Sequence, residues 1–146
     1  MKVYNTQVVM QEFPDEFTLA LNISGCPNHC PNCHSKYLWE DIGEDLTVEY
    51  LLTTIKNNPG ITCIGFMGGD QDPDYLMGIA KEIKQHTNIK LGWYSGKDYI
   101  YNKAMDLFDY VKFGSYQEDR GPLTSKSTNQ ILLYISEMNG KRIAQN

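Results

Sequence analysis

Alternating apolar and polar residues mark the first predicted strand, which covers residues 16–24 ("EFTLALNIS"). Alternation with a period of two residues is the pattern of a β-strand that buries one face. Later in the chain, short and mostly apolar runs are typical of strands buried on both faces. They predict further strands at residues 61–66, 89–94, 109–114 and 131–136.

Segments with helical periodicity lie between these strands. Residues 45–58 predict a helix with Thr47 as its N-cap, because a threonine hydroxyl group can accept from the first backbone amides. Its apolar stripe consists of Val48, Leu51, Leu52 and Ile55. Residues 73–86 predict a second helix that begins at Pro73, a favoured residue in a first turn. Residues 97–108 predict a third.

The alternation of strands and helices predicts an α/β fold built from βα units around a parallel sheet. A closed eightfold barrel takes about 200–250 residues or more, and the chain has 146. We therefore expect an open, partial (βα) barrel of about five or six βα units. It would form a single domain over residues 1–146, and disorder is an open alternative for the polar tail at residues 137–146.

Charge and composition narrow the class of protein. The net charge is −5, and the 13 lysines and arginines are scattered rather than clustered. Nucleic-acid binding relies on clustered basic residues, so we expect no nucleic-acid partner. The chain has no apolar run long enough to span a bilayer, and its first residues do not resemble a signal peptide. We therefore expect a cytoplasmic protein with no membrane partner.

The cysteines indicate metal or redox chemistry. The chain has four, and Cys26, Cys30 and Cys33 lie in one polar segment, "ISGCPNHCPNCH", directly after the first predicted strand. The fourth, Cys63, lies within an apolar strand and is expected to pack as a small buried hydrophobe. Bunched cysteines in a cytosolic chain favour a metal site over a disulfide framework.

Two kinds of metal site fit the C-x3-C-x2-C spacing. Structural zinc needs four ligands, and His29 or His34 would supply the fourth, but zinc ribbons usually use two separated pairs. A [4Fe–4S] cluster normally takes one thiolate per iron, so three cysteines leave one iron with an open site. An open site allows the cluster to bind a substrate or cofactor, which favours the cluster.

A glycine-bearing loop follows the strand predicted at residues 61–66. Gly68 and Gly69 allow a ligand to approach the backbone, and the carboxylate of Asp70 can accept hydrogen bonds from an ammonium group. The simpler alternative is a turn into the second helix, with Asp72 as its N-cap before Pro73. In parallel α/β folds the carboxyl ends of strands form the ligand site. We therefore expect this loop and the cysteine loop to lie together.

In this arrangement the chain resembles the radical S-adenosylmethionine enzymes. The resemblance implies that Cys26, Cys30 and Cys33 hold the [4Fe–4S] cluster and are the catalytic residues. It also implies that a further set of residues contacts S-adenosylmethionine: Asn32, Cys33, His34, Gly68, Gly69, Asp70, Ser95 and Lys112. In that family the open iron binds the amino and carboxylate groups of S-adenosylmethionine. One electron then cleaves the sulfonium to a 5′-deoxyadenosyl radical.

Residues 10–135 are similar to a narrower family, the activating proteins of anaerobic (class III) ribonucleoside-triphosphate reductases. The similarity is carried, in order, by the cysteine loop with "HSKYLWE", by "GGD", by "YSG" and by "KFGSY…STNQILL". The sequence departs from the family pattern in three places. Gln71 and Asp72 are inserted between Asp70 and Pro73, and Phe113 stands where related proteins often carry an aspartate. Asn32, before the last cysteine of the loop, stands where radical families often carry an aromatic residue.

The resemblance implies a reaction and partners. The deoxyadenosyl radical would take a hydrogen atom from a backbone glycine of the reductase, and an electron donor such as flavodoxin would reduce the cluster. A homodimer is a further possibility. Three alternatives stay open: an activase of a formate-lyase-type glycyl-radical enzyme, a radical enzyme for a small molecule, and a non-enzymatic iron–sulfur or zinc-binding module. A pure electron carrier would normally use four thiolates.

Overall fold

A single mixed β-sheet, covered on one face by helices, organises the protein. The structure is a computed structural model, and it describes residues 1–10, 13, 16–25, 43–97, 99–114, 131–135 and 143–144. Within these ranges no helix has both the length and the apolar character needed to cross a membrane.

The described residues contain eight strands, two α-helices and a 3-10 helix. The strands are β1 (Lys2–Val9), β2 (Thr18–Ile23), β3 (Glu44–Asp45), β4 (Cys63–Met67), β5 (Lys90–Tyr94), β6 (Tyr110–Phe113), β7 (Ile131–Tyr134) and β8 (Ile143–Ala144). The helices are α1 (Val48–Asn57), α2 (Pro73–His86) and the 3-10 helix (Asn102–Asp106).

The strands are arranged in the order β3-β1-β2-β4-β5-β6-β7-β8. The central strands β2, β4, β5 and β6 pair in parallel, whereas β1, β3, β7 and β8 add antiparallel strands on the two sides. Right-handed crossovers in a sheet that grows in one direction put their helices on the same face. Helices α1 and α2 contact each other, as this arrangement requires.

Helix α1 begins at the predicted cap, Thr47, and α2 begins at Asp72, the cap given by the simpler alternative for the glycine-bearing loop. The hydroxyl group of Thr47 accepts a 3.0 Å hydrogen bond from the backbone amide of Tyr50 at the start of α1. The carboxylate of Asp72 accepts one of 3.2 Å from the amide of Tyr75, and Pro73 stands in the first turn of α2. These contacts satisfy amides that have no partner within the helix.

The two faces of the sheet carry different clusters of buried residues. Strand residues that face the helices form the larger cluster, which includes Leu19, Leu21, Ile23, Ile64, Phe66, Leu91, Trp93 and Val111. The opposite face carries a smaller cluster of Phe13, Cys63, Tyr110 and Leu132, with Met67 and Tyr94 packed against it. Since side chains alternate along a strand, each central strand contributes to both faces.

Phe13 fills the middle of the second face. A Cβ atom added at Gly92 would lie 2.3 Å from the Phe13 ring, and one added at Gly65 would lie 3.1 Å from it. The two glycines are neighbours across β4 and β5. The ring of Phe13 also stacks on Tyr110 and meets Tyr94 edge-on, with centroids 5.1 and 5.2 Å apart. The glycines therefore make room for an aromatic ring, a common reason for glycine inside a strand.

A buried carboxylate ties the amino ends of the central strands together. Glu16, which precedes β2, accepts 2.7 Å hydrogen bonds from the hydroxyl groups of Thr62 and Tyr110 and lies 3.2 Å from the Lys90 ammonium group. Burial acts to raise the pKa of Glu16, but these hydrogen bonds and the charge of Lys90 hold it below its ordinary value. These polar contacts lie at the amino ends of the strands, opposite the carboxyl ends where the ligand site is predicted.

The structure differs from the sequence-based expectations in four respects. The sheet is mixed rather than wholly parallel, and β1 was not predicted. The predicted helix at residues 97–108 is reduced to the 3-10 helix Asn102–Asp106. Within residues 137–146, for which disorder was an open alternative, Ile143–Ala144 pairs with β7. The partial barrel and the single domain stay predictions.

Candidate functional site

The site residues predicted from the sequence divide into two groups. Cys26, Cys30, Cys33, Asn32 and His34 lie outside the described residues. The remaining predicted residues are described, and they are Gly68, Gly69, Asp70, Ser95 and Lys112. Among the described residues, no three His, Cys, Asp or Glu side chains are close enough together to hold a metal ion. The described part of the chain therefore contains no ligand set that competes with the three cysteines.

The described site residues lie at the carboxyl ends of adjacent parallel strands. Gly68 follows the end of β4, Ser95 follows the end of β5, and Lys112 lies near the end of β6. At the end of β2, Gly25 is the last described residue before Cys26, and its φ of 74° turns the chain. Because the strands are parallel neighbours, these ends share one edge of the sheet, as the sequence predicts.

The carboxylate of Asp70 is held by the end of β5. Its Oδ1 atom accepts a 2.6 Å hydrogen bond from the Ser95 hydroxyl group, and its Oδ2 atom accepts one of 2.8 Å from the Gly96 backbone amide. Ser95 is buried, and its own backbone amide donates to the Lys112 carbonyl oxygen at 2.8 Å. These two donors thus fix the orientation of the carboxylate.

Gly68 brings the loop backbone close to the end of β2. Its φ is 116°, and a Cβ atom there would lie 3.1 Å from the carbonyl oxygen of Ile23. The Gly68 amide donates to the Tyr94 carbonyl oxygen at 3.1 Å, and its own carbonyl accepts from the Trp93 indole at 2.8 Å. Gly69 also has a positive φ, of 98°. The positive φ at both positions and the close approach of Gly68 to Ile23 explain why glycine occupies them.

The two residues inserted after Asp70 have separate roles. The side-chain amide of Gln71 donates a 2.8 Å hydrogen bond to the carbonyl oxygen of Ser24, and Asp72 caps α2. Sequence reasoning predicted the cap but missed the contact of Gln71. The only signal for it was the departure from the family pattern, because hydropathy does not reveal a polar contact between two loops.

Lys112 lies over an aromatic ring beside Asp70 and Ser95. Its ammonium nitrogen is 4.7 Å from the centroid of the Tyr94 ring, a distance typical of a cation–π contact. Met67, Tyr94 and Lys112 are partners in register across β4, β5 and β6, so they form a row on the face that also carries Phe13. The row combines apolar surface with one positive charge.

This arrangement suits a ligand with both charged and apolar parts. Asp70 can bind an ammonium group, and the half-buried side chains of Tyr94 and Met67 offer apolar surface. The three cysteines that follow Gly25 in the sequence would supply thiolates, soft ligands that suit an iron–sulfur cluster. The donors in the sequence and the geometry of the described loops thus fit a cluster with a cofactor beside it.

Comparison with known protein families gives one match. The model of a family described as a 4Fe-4S single cluster domain matches residues 17–133, well over half of the 146 residues. The matched span contains the three cysteines and every other predicted site residue. Neither the curated proteins nor the solved structures compared with the chain include a match.

Proposed function

The chain belongs to the 4Fe-4S single cluster domain family, and from this we propose that it is a radical S-adenosylmethionine enzyme. Its reaction would generate the glycyl radical of an anaerobic ribonucleoside-triphosphate reductase. Family membership indicates an iron–sulfur protein, which is consistent with an oxidoreductase. S-adenosylmethionine, the glycine substrate and the reductase belong to the proposal.

One observation carries the proposal beyond an iron–sulfur protein. The described Gly68 backbone lies against Ile23 at the end of the strand that leads into the cysteine segment, and Asp70 follows in the same loop. A carboxylate beside a cluster that has only three cysteine ligands supplies what a cofactor with an amino group would need. An electron carrier would have no use for a ligand site there.

Each site residue has a proposed task. Cys26, Cys30 and Cys33 would each hold one iron through a thiolate. Asp70, oriented by Ser95, would accept hydrogen bonds from the amino group of S-adenosylmethionine. The further contacts to the cofactor are proposed for Asn32, His34, Gly68, Gly69 and Lys112. When bound, the reduced cluster and S-adenosylmethionine together supply a 5′-deoxyadenosyl radical that can abstract a hydrogen atom.

The proposed substrate is a protein loop with a reactive glycine. The described sheet has β3 and β8 as its two edge strands and does not close on itself. An open sheet leaves lateral access for a macromolecule. We propose an open partial barrel for this reason. A reducing partner such as flavodoxin, a cytoplasmic location and a possible homodimer are parts of the same proposal.

Two anaerobic assays test the proposal in sequence. The protein is first reconstituted with iron and sulfide, and 5′-deoxyadenosine is measured after addition of S-adenosylmethionine and dithionite. The reductase is then added, and electron paramagnetic resonance detects a glycyl radical. We expect both products from the wild type and neither from Cys30→Ala, because the loss of one thiolate removes an iron ligand.

The results separate the alternatives. Formation of 5′-deoxyadenosine without a radical on the reductase would overturn the proposed partner and would favour another glycyl-radical enzyme. A cluster whose spectrum is unchanged by S-adenosylmethionine would indicate an electron carrier. A colourless protein that retains zinc under anaerobic reconstitution would overturn the proposal altogether.

A further inference from the structure

Ser24 anchors the start of the cysteine segment through three of its polar atoms. Its backbone amide donates to the carbonyl oxygen of Lys2 in β1 at 3.0 Å, and its hydroxyl group donates to the same oxygen at 3.4 Å. Its own carbonyl oxygen accepts the 2.8 Å hydrogen bond from Gln71. Ser24 is fully buried and stands two residues before Cys26.

The side chains of the consecutive residues Asp70 and Gln71 contact the ends of different strands. The Asp70 carboxylate contacts Ser95 and Gly96 beyond the end of β5, while the Gln71 side chain contacts Ser24 beyond the end of β2. Both residues follow Gly69, whose positive φ turns the loop. The pair therefore links the ends of three neighbouring strands, with β4 between the other two.

We infer that Gln71 is a positioning residue, which fixes the start of the cysteine segment relative to Asp70 through its hydrogen bond to Ser24. This inference rests on the proposed function, because Asp70 and the cysteines must act on one ligand for their relative position to matter. Gln71 touches neither cluster nor cofactor in this role. Gln71 is one of the two residues inserted between Asp70 and Pro73. The insertion thus supplies a link between the glycine-bearing loop and the start of the cysteine segment.

A loss of this link has a defined consequence. Without the donor on residue 71, the Ser24 carbonyl loses one partner, and the start of the segment loses its link to the loop that carries Asp70. A ligand that binds both the cluster and Asp70 must then order the start of the cysteine segment itself, which lowers the net binding free energy. The affinity for S-adenosylmethionine should fall, and the cluster should become more accessible to chelators.

Two substitutions separate the hydrogen bond from the shape of the side chain. Gln71→Met keeps the length of the side chain and removes the donor, whereas Gln71→Lys keeps a donor at the end of a similar chain. Gln85→Met is the matched control, because Gln85 is exposed on α2. Gln71 is itself exposed, so none of these variants removes a buried side chain. Circular dichroism checks the fold of each.

The measurements use the reconstituted, cluster-loaded proteins. The first is the concentration of S-adenosylmethionine that gives half of the change in the spectrum of the reduced cluster. The second is the rate of iron release to a chelator without S-adenosylmethionine. The net free energy of one hydrogen bond corresponds to about a threefold to tenfold change in an equilibrium constant. We expect Gln71→Met to raise both values by about that factor, and Gln71→Lys and Gln85→Met to stay within about twofold of the wild type.

The outcomes distinguish this inference from the proposed function. If the wild type binds S-adenosylmethionine and Gln71→Met matches Gln85→Met in both measurements, only the role of Gln71 is overturned. If Gln71→Lys is as impaired as Gln71→Met, the donor is not the cause and the inference also fails. If the wild type shows no response to S-adenosylmethionine, the proposed function fails and the inference falls with it.

Discussion

The Asp70 carboxylate accepts a 2.6 Å hydrogen bond from the Ser95 hydroxyl group, across the ends of two neighbouring parallel strands. This contact orients a charged group at the edge where the predicted cofactor residues meet. A carboxylate fixed before the ligand arrives binds an ammonium group with less loss of conformational entropy.

Asp70→Asn tests the role of that charge. Asparagine has almost the same shape but no negative charge, so it loses the charge-assisted hydrogen bonds to an ammonium group. We expect the half-saturating concentration of S-adenosylmethionine to rise about tenfold to a hundredfold. The iron content should stay at the wild-type value. Asp106→Asn, at an exposed carboxylate in the 3-10 helix, is the control. Equal half-saturating concentrations for the two variants would remove Asp70 from the site.

Gly68→Ala tests the close approach of the loop to β2. The new Cβ atom would meet the Ile23 carbonyl oxygen at 3.1 Å, and the φ of 116° is strained for alanine. We expect the free energy of unfolding to fall by about 1–3 kcal/mol. Gly78→Ala in α2 is the matched control, with no atom within 4 Å of its new Cβ. It should raise stability by about 0.5–1 kcal/mol. Denaturant titration measures both, and a stabilised Gly68→Ala would contradict the structure.

The contact of Gly92 with Phe13 predicts a coupling between two substitutions. Gly92→Ala places a methyl group 2.3 Å from the ring, and overpacking of this kind costs about 1–3 kcal/mol. Phe13→Ala alone should cost about 3–5 kcal/mol, because it empties a buried site. In the double variant the methyl group occupies part of the emptied space. We expect the double variant to lose clearly less stability than the sum of the losses in the two single variants. If the two losses simply add, the contact is refuted.

Stability should fall in acid because of Glu16. Its pKa is lowered in the folded protein, so it stabilises the fold at pH values above its pKa in the unfolded chain. That contribution is lost as the pH falls through the lowered folded value. Unfolding of iron-free protein is followed from pH 7 downward for the wild type and Glu16→Gln. The gap in stability between them should shrink toward acid pH, and a constant gap would exclude an ionised Glu16.

Cys63 should resist modification while the protein is folded. Burial, together with the charge of Glu16, raises the pKa of the Cys63 thiol to about 12. At pH 9 only about one thiol in a thousand would be ionised, and the thiolate is the reactive form. Iodoacetamide followed by peptide mapping should find Cys63 unlabelled in folded protein and labelled after unfolding. Rapid labelling of the folded chain would show that the thiol is exposed.

The sequence predicts the central strands and both α-helices well, because their apolar pattern is strong. Strand β4 and helix α2 lie within a few residues of their predicted bounds. Strand β1 was missed because half of its residues are polar and only Val3 is buried. It forms through backbone pairing with β2, which leaves no hydropathy signal. The 3-10 helix has no side-chain cap, which helps explain why the longer helix predicted there does not form.

The site was predicted in outline, and its supporting contacts were not. Glycines and an acid after a buried strand indicate a ligand loop, so Gly68 and Asp70 were identifiable. Gln71 was not, because its partner is the backbone of a distant residue. The packing of Phe13 had a usable signal. Gly65 and Gly92 interrupt two apolar strands, and glycine inside a strand often marks a close approach.

The order of the strands bears on how the protein forms during synthesis. From β4 to β8 each strand pairs with the strand that follows it in the chain. Contacts that are short in sequence cost less entropy to close and favour rapid folding. As the chain leaves the ribosome, each new strand can join the edge left by the previous one. Strands β1 and β2, which precede the cysteines in the chain, could already be paired before the last strands emerge.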